Sequence, residues 1–247
     1  MKTIKRLITL IILLGVGAMA FLLFYKGETS TLQASSELSE EALIERGEYL
    51  ARAGVCMACY TDSEEKPSAG RHGIESPVGT IYGTNITPDK EHGIGSWSLQ
   101  DFDNAMRYGL RKNGDAMYPA MPFAAFSRLT DEDVEALYTY FMKGVEPIAE
   151  ANRKNDIPWP FSMRFPLNGW RLAFAPKPEV FNFEAYEDAT VARGAYLVQG
   201  LGHCGSCHTP RALTLNEKAY SESDQHGELF LSGGNAPIEG WVATSLR

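Results

Sequence analysis

The chain has 247 residues, 44% of them apolar and 22% charged, a globular composition that allows one large or two small domains. Its formal net charge of −8 argues against a nucleic-acid binder, which needs a basic surface to neutralise phosphates. An acidic surface suits a protein that meets other proteins.

The first element in chain order is apolar. Lys2, Lys5 and Arg6 precede an uncharged run from Leu7 to Tyr25, close to the ~20 residues that cross a bilayer. Basic residues ahead of it favour a cytoplasmic N-terminus and an exported remainder. Ala18-Met19-Ala20 offers the small residues of a cleavage site, but the apolar run continues through Phe24, so residues 1–27 read as an anchor in preference to a cleaved signal. Residues 27–37 follow as a polar tether without periodicity.

A helix is predicted over residues 39–53, with Ser39 as N-cap and Leu43, Ile44, Gly47 and Leu50 at helical spacing. It leads into Cys56-Met57-Ala58-Cys59-Tyr60. A second helix is predicted after Ser98, where Asp101 completes a capping box, with Phe102, Ala105, Met106 and Leu110 as its apolar face. A third follows Thr130, with Asp133 at the same offset, Val134, Leu137, Tyr138 and Phe141 as its stripe, and Gly144 as its stop. Between these two lies Tyr118-Pro119-Ala120-Met121-Pro122-Phe123. Trp97, Trp159, Trp170 and Trp241 read as packing of helix starts and of the interdomain segment, and His72, His92 and His226 as solvated loop residues.

Further along, Cys204-Gly205-Ser206-Cys207-His208 is a C-x-x-C-H sequence, the attachment signature of a c-type haem. The two cysteine pairs belong to a repeat. Arg46-Gly47-x-Tyr49-Leu50 precedes Cys56 as Arg193-Gly194-x-Tyr196-Leu197 precedes Cys204, and Thr61 then aligns with Thr209. Tyr60 therefore stands where the second copy has its histidine. Two thiols on one turn can bind the haem vinyl groups while the next residue gives the iron an imidazole, and a thioether from the far side, here Met121, favours ferrous iron. Helix, cysteine motif, helix, Met loop, helix is the order of a small c-type cytochrome. Tyr60 leaves several readings open: a phenolate ligand, a packed aromatic beside an empty C-x-x-C, or a pair closed as a disulfide. A thiol-disulfide oxidoreductase at Cys56 and Cys59, or zinc shared by all four cysteines, are competing chemistries.

Three stretches resemble one family: GTIYGTNITPDKEHGIGSWSLQDFDNAMRYGLRKNGDAMYPAMPF (79–123), PWPFSMRFPLNGW (158–170) and RGAYLVQGLGHCGSCHTPR (193–211). They are similar to the multihaem cytochrome c subunits of bacterial membrane-bound alcohol, aldehyde and gluconate dehydrogenases, over roughly residues 40–247. The resemblance implies an all-α fold of tandem class I cytochrome c domains behind an N-terminal transmembrane helix: a complete unit at 38–147, a Pro-rich extended link at 148–187 and a truncated unit at 188–247. It implies haem c held by Cys204, Cys207 and His208, and a second site with anchors Cys56 and Cys59 and distal ligand Met121, altered at Tyr60. Gly83, Thr84, Asn85 and Ile86 resemble a loop beneath the haem edge whose backbone and Asn groups meet a propionate, Arg211 is a candidate propionate partner, and His203 a neighbour of the haem. No methionine follows Met163, so the site at Cys204, Cys207 and His208 lacks a distal thioether in this sequence. The implied function is electron transfer, without substrate chemistry, from a periplasmic quinoprotein or flavoprotein dehydrogenase subunit to ubiquinone at the inner membrane. A haem-poor structural remnant is the alternative.

Overall fold

The computed structural model describes residues 2–25, 27–210, 229–235 and 240–247. The order of elements is α1 (Lys2–Phe24), α2 (Glu40–Ala53), α3 (Cys56–Tyr60), β1 (Gly73–Ser76), β2 (Gly79–Tyr82), α4 (Leu99–Tyr108), α5 (Phe123–Phe126), α6 (Asp131–Thr139), α7 (Phe165–Phe174), α8 (Ala189–Gln199) and α9 (Gly205–His208). Arg211 and His226 lie outside the described residues.

α1 buries none of its side chains, as expected of an apolar helix whose solvent is lipid. The three predicted amphipathic helices begin at the predicted caps. Ser39 accepts from the Ala42 N–H, Ser98 and Asp101 cap each other reciprocally, and Thr130 accepts from the Asp133 N–H. After Thr139 the last turn widens to a π-type turn, Tyr140–Gly144, which ends at the predicted stop.

One apolar core joins these helices. Leu43 and Leu50 of α2, Phe102 and Met106 of α4, and Val134, Leu137 and Phe141 of α6 and its extension pack together. Gly47 lets α2 cross α6 closely, since a Cβ there would overlap the Ala136 carbonyl. Tyr196 and Leu201, from the second copy of the repeat, are fully buried in the same cluster. The expectation of a helical body holds, with a small antiparallel hairpin of β1 and β2 inserted, its register pairing Gly73 with Tyr82 and Ser76 with Gly79.

Three expectations need correction. Residues 27–37 do not form a free tether: the Ser30 hydroxyl donates to Asp103, the Ser35 and Ser36 amides donate to Glu135, and Leu32 is buried. Backbone polar groups without regular structure find partners on the neighbouring helices. The 148–187 segment is not extended throughout. It contains α7, which tolerates Pro166 because the first helical turn needs no donor there, and a short 3₁₀ turn at Phe183–Ala185. Its flanks are tied back to the body, with the Asp156 and Thr80 amides bonding each other's carbonyls and the Glu179 and Phe181 amides donating to the Ser127 and Arg128 carbonyls. Last, Trp159 and Trp241 are not packing residues, being 78% and 81% exposed.

Candidate functional site

Each cysteine pair lies on one short helical turn entered through a left-handed residue, Val55 (φ 54°) before α3 and His203 (φ 40°) before Cys204 and α9. The loops after these turns are held by matching hydrogen bonds. The Gly70 N–H donates to the Tyr60 carbonyl at 2.8 Å, as the Gly233 N–H does to the His208 carbonyl at 2.7 Å. Arg71 N–H to Gly83 carbonyl (2.8 Å) matches Gly234 N–H to Ala243 carbonyl (2.9 Å), and Ile86 N–H to Ser68 carbonyl (2.9 Å) matches Leu246 N–H to Leu231 carbonyl (2.9 Å). Thr61 Oγ1 accepts from Ser68 N–H at 3.0 Å and Thr209 Oγ1 from Leu231 N–H at 3.1 Å. This register equates Tyr60 with His208, Gly83 with Ala243 and Thr84 with Thr244. In each loop one glycine lies against the second cysteine: a Cβ on Gly83 would overlap the Cys59 carbonyl, and one on Gly234 the Cys207 carbonyl.

At the second site His208 is oriented by the backbone, its Nδ1 lying 2.7 Å from the Thr244 carbonyl oxygen. A carbonyl can only accept, so it selects the tautomer with hydrogen on Nδ1 and leaves Nε2 with its lone pair for a metal. Thr244 was not expected to take part; following the repeat past Thr209 would have pointed to it. The donor set of Cys204, Cys207 and an oriented imidazole fits haem c.

At the first site the anchors and the frame fit, but the ligand position does not. Tyr60 stands at the ligand position, and burial, followed by the nearby Cys56 and Cys59, pushes the phenol well above its ordinary value. Burial, reinforced by Cys59, pushes the Cys56 thiol up to about 12, and burial raises Cys59 and Cys204 as well. Thiols held protonated are poor nucleophiles, which weighs against thiol-disulfide exchange as the chemistry of Cys56 and Cys59. All four cysteines are unbridged. Met121 lies between α4 and α5, half-buried against the same core that receives Cys56.

Asn85 has another role than the one expected. It is 2% exposed, its Nδ2 donates to the Ile148 and Glu150 carbonyls, and its Oδ1 accepts from the Thr87 N–H and hydroxyl. The amide is fully engaged in tying the loop to residues 148–150, with no donor left for a propionate. His203 stacks edge-on against Phe126 at 5.9 Å, and burial lowers its pKa.

The two copies of the repeat meet at Asp133, which is fully buried. Arg46 donates to its Oδ1 at 2.7 Å, Tyr196 Oη donates to Oδ2 at 2.6 Å, and Arg193 lies 3.6 Å from Oδ2. Equivalent arginines thus reach one carboxylate from both copies, and burial followed by Asp133 raises the Tyr196 phenol.

No family model matches the chain. It is 53% identical over 221 residues to the gluconate 2-dehydrogenase cytochrome c subunit of Pantoea cypripedii, covering 90% of this chain and 50% of that protein. It is 51% identical over 214 residues to the cytochrome c subunit of the quinone alcohol dehydrogenase of Gluconobacter oxydans, 87% of this chain and 44% of the relative. With the fructose dehydrogenase cytochrome subunit of Gluconobacter japonicus it shares 48% identity over 182 residues, 72% of this chain and 37% of the relative. The chain spans about half the length, or less, of these curated relatives.

Proposed function

The chain is homologous over most of its length to the cytochrome c subunits of gluconate, alcohol and fructose dehydrogenases, and from this kinship we propose that it is a c-type cytochrome carrying electrons from a periplasmic dehydrogenase subunit to the quinone pool or respiratory chain. The unit at 188–247 holds haem c through Cys204 and Cys207, with His208 as proximal ligand. Iron in haem c supplies one-electron transfer without bond-making on substrate. The chain's own part is to fix the ring by two thioethers and to aim Nε2 of His208, a job done by the Thr244 carbonyl. The kinship carries the electron-transfer reading, and that contact supports His208 as the ligand.

In the unit at 38–147, Cys56 and Cys59 are the anchors and Met121 the distal ligand of the first site. Tyr60 supports reading that site as unloaded in this chain, because it replaces the imidazole that the matching frame presents at His208. α1 anchors the assembly in the inner membrane, with the body on the periplasmic side. The dehydrogenase partner carries a quinoprotein or flavin cofactor, and ubiquinone is the acceptor.

The full chain, expressed with a c-type maturation system, should contain covalent haem by pyridine haemochrome assay. That haem should be reduced on mixing with a substrate-loaded quinoprotein or flavoprotein dehydrogenase and reoxidised by a ubiquinone analogue. A chain without covalent haem would leave the haem-poor remnant as the better reading.

A further inference from the structure

The end of α1 is packed against α7. Asn168, 1% exposed, donates from Nδ2 to the Leu22 carbonyl at 2.8 Å. Gly169 has no room for a Cβ because Leu22 Cδ2 would lie 2.8 Å from it, and Gly27 adjoins Leu172 and the buried Arg171. Leu22 belongs to the last turn of the apolar helix, so whatever touches it stands within about one helical turn of the hydrocarbon boundary.

The inner side of α7 is thus consumed by polar and close contacts, while the outer side and the turn ahead of it are apolar and bare. Phe174 is 40%, Phe161 56% and Trp159 78% exposed. The turn that presents Trp159 and Phe161 is fixed: the Tyr118 hydroxyl donates to the Phe161 carbonyl at 2.9 Å, and Arg164 stacks over the Tyr118 ring at 3.9 Å. Rigid, exposed aromatic side chains at the end of a membrane span have the composition of the interfacial belt.

We propose that residues 158–174 are a membrane-surface docking element, in which Trp159, Phe161 and Phe174 enter the lipid headgroup layer and hold the first cytochrome unit at a fixed height on the membrane. The proposal rests on the reading of α1 as an anchor. Continuity with α1 favours lipid as the occupant of this face.

The test uses the full chain in vesicles of phosphatidylethanolamine and phosphatidylglycerol doped with a lipid bearing a photoreactive diazirine near its headgroup. After illumination and trypsin digestion, lipid adducts are expected on the peptide spanning 155–164, which carries Trp159 and Phe161, and on that spanning 172–193, which carries Phe174, together with adducts on α1. The peptide containing Trp241, equally exposed but remote in sequence, serves as the control and should stay unlabelled. The variant Trp159→Ser with Phe161→Ser should lose most of the adducts on 155–164. Adducts confined to α1 would overturn the docking element while leaving the anchor standing. Absence of adducts on α1 as well would overturn the anchor reading and the docking element with it.

Discussion

Changing Tyr60 to histidine (Tyr60→His) asks whether the first site lacks anything besides its ligand. Four hydrogen bonds that shape the loop after α3 match those after α9 within 0.1 Å, as the paired values 2.8 and 2.7, 2.8 and 2.9, 2.9 and 2.9, and 3.0 and 3.1 Å show. By this register the Thr84 carbonyl stands where Thr244 does, and an imidazole at position 60 would donate to it from Nδ1 as His208 does at 2.7 Å. That bond contributes ~1 kcal/mol, so the substitution should not cost stability before any haem is bound. Expressed with a maturation system, the variant should carry one more covalent haem than the parent, with Met121 opposite the new ligand and a raised reduction potential. Adding Cys59→Ala should return the count to that of the parent, which locates the gain. Adding Gly83→Ala instead should also abolish it, because the new Cβ would overlap the Cys59 carbonyl. Equal haem content in parent and variant would refute the reasoning.

Gly234→Ala should likewise reduce haem at the second site through its collision with the Cys207 carbonyl, seen as a lower haem-to-protein absorbance ratio at unchanged expression. Tyr196→Phe removes a donor from fully buried Asp133 and should destabilise by ~1–3 kcal/mol in denaturant unfolding; a change below about 0.5 kcal/mol would show that Arg46 and Arg193 suffice. Leu50→Ala should cost about 2–5 kcal/mol and its neighbour Tyr49→Ala, at a 52% exposed position, less than ~0.5 kcal/mol, measured by the same unfolding transition. Asp188 caps α8 by accepting from the Val191 and Thr190 amides, which lower its pKa. A depressed folded value means that its contribution is complete above the ordinary Asp pKa of ~3.9 and is lost as pH falls through the lower folded value. NMR titration of the Thr190 and Val191 amides should follow that loss, and an unshifted Asp188 would contradict the cap.

The residues that encode local structure were legible without coordinates. Ser39, Ser98 with Asp101, and Thr130 announce helix starts because capping involves neighbours only three residues away, and the apolar spacing of Leu43, Gly47 and Leu50 names the buried face. The C-x-x-C-H motif is equally local, which is why Cys204, Cys207 and His208 could be singled out from the sequence. Long-range pairing was not legible. Thr244 meets His208 from 36 residues away, and only the repeat, followed past Thr209, gives any sign of it in the sequence. Asn85 looked available until its amide was found bonded to the Ile148 and Glu150 carbonyls. The repeat also conceals a difference in use. Tyr49 and Tyr196 occupy one repeat position, yet Tyr49 faces solvent and Tyr196 is buried on Asp133. A shared Arg-Gly-x-Tyr-Leu motif specifies a helix in both copies, but burial depends on which surface each helix meets, and that is decided only when the chain packs.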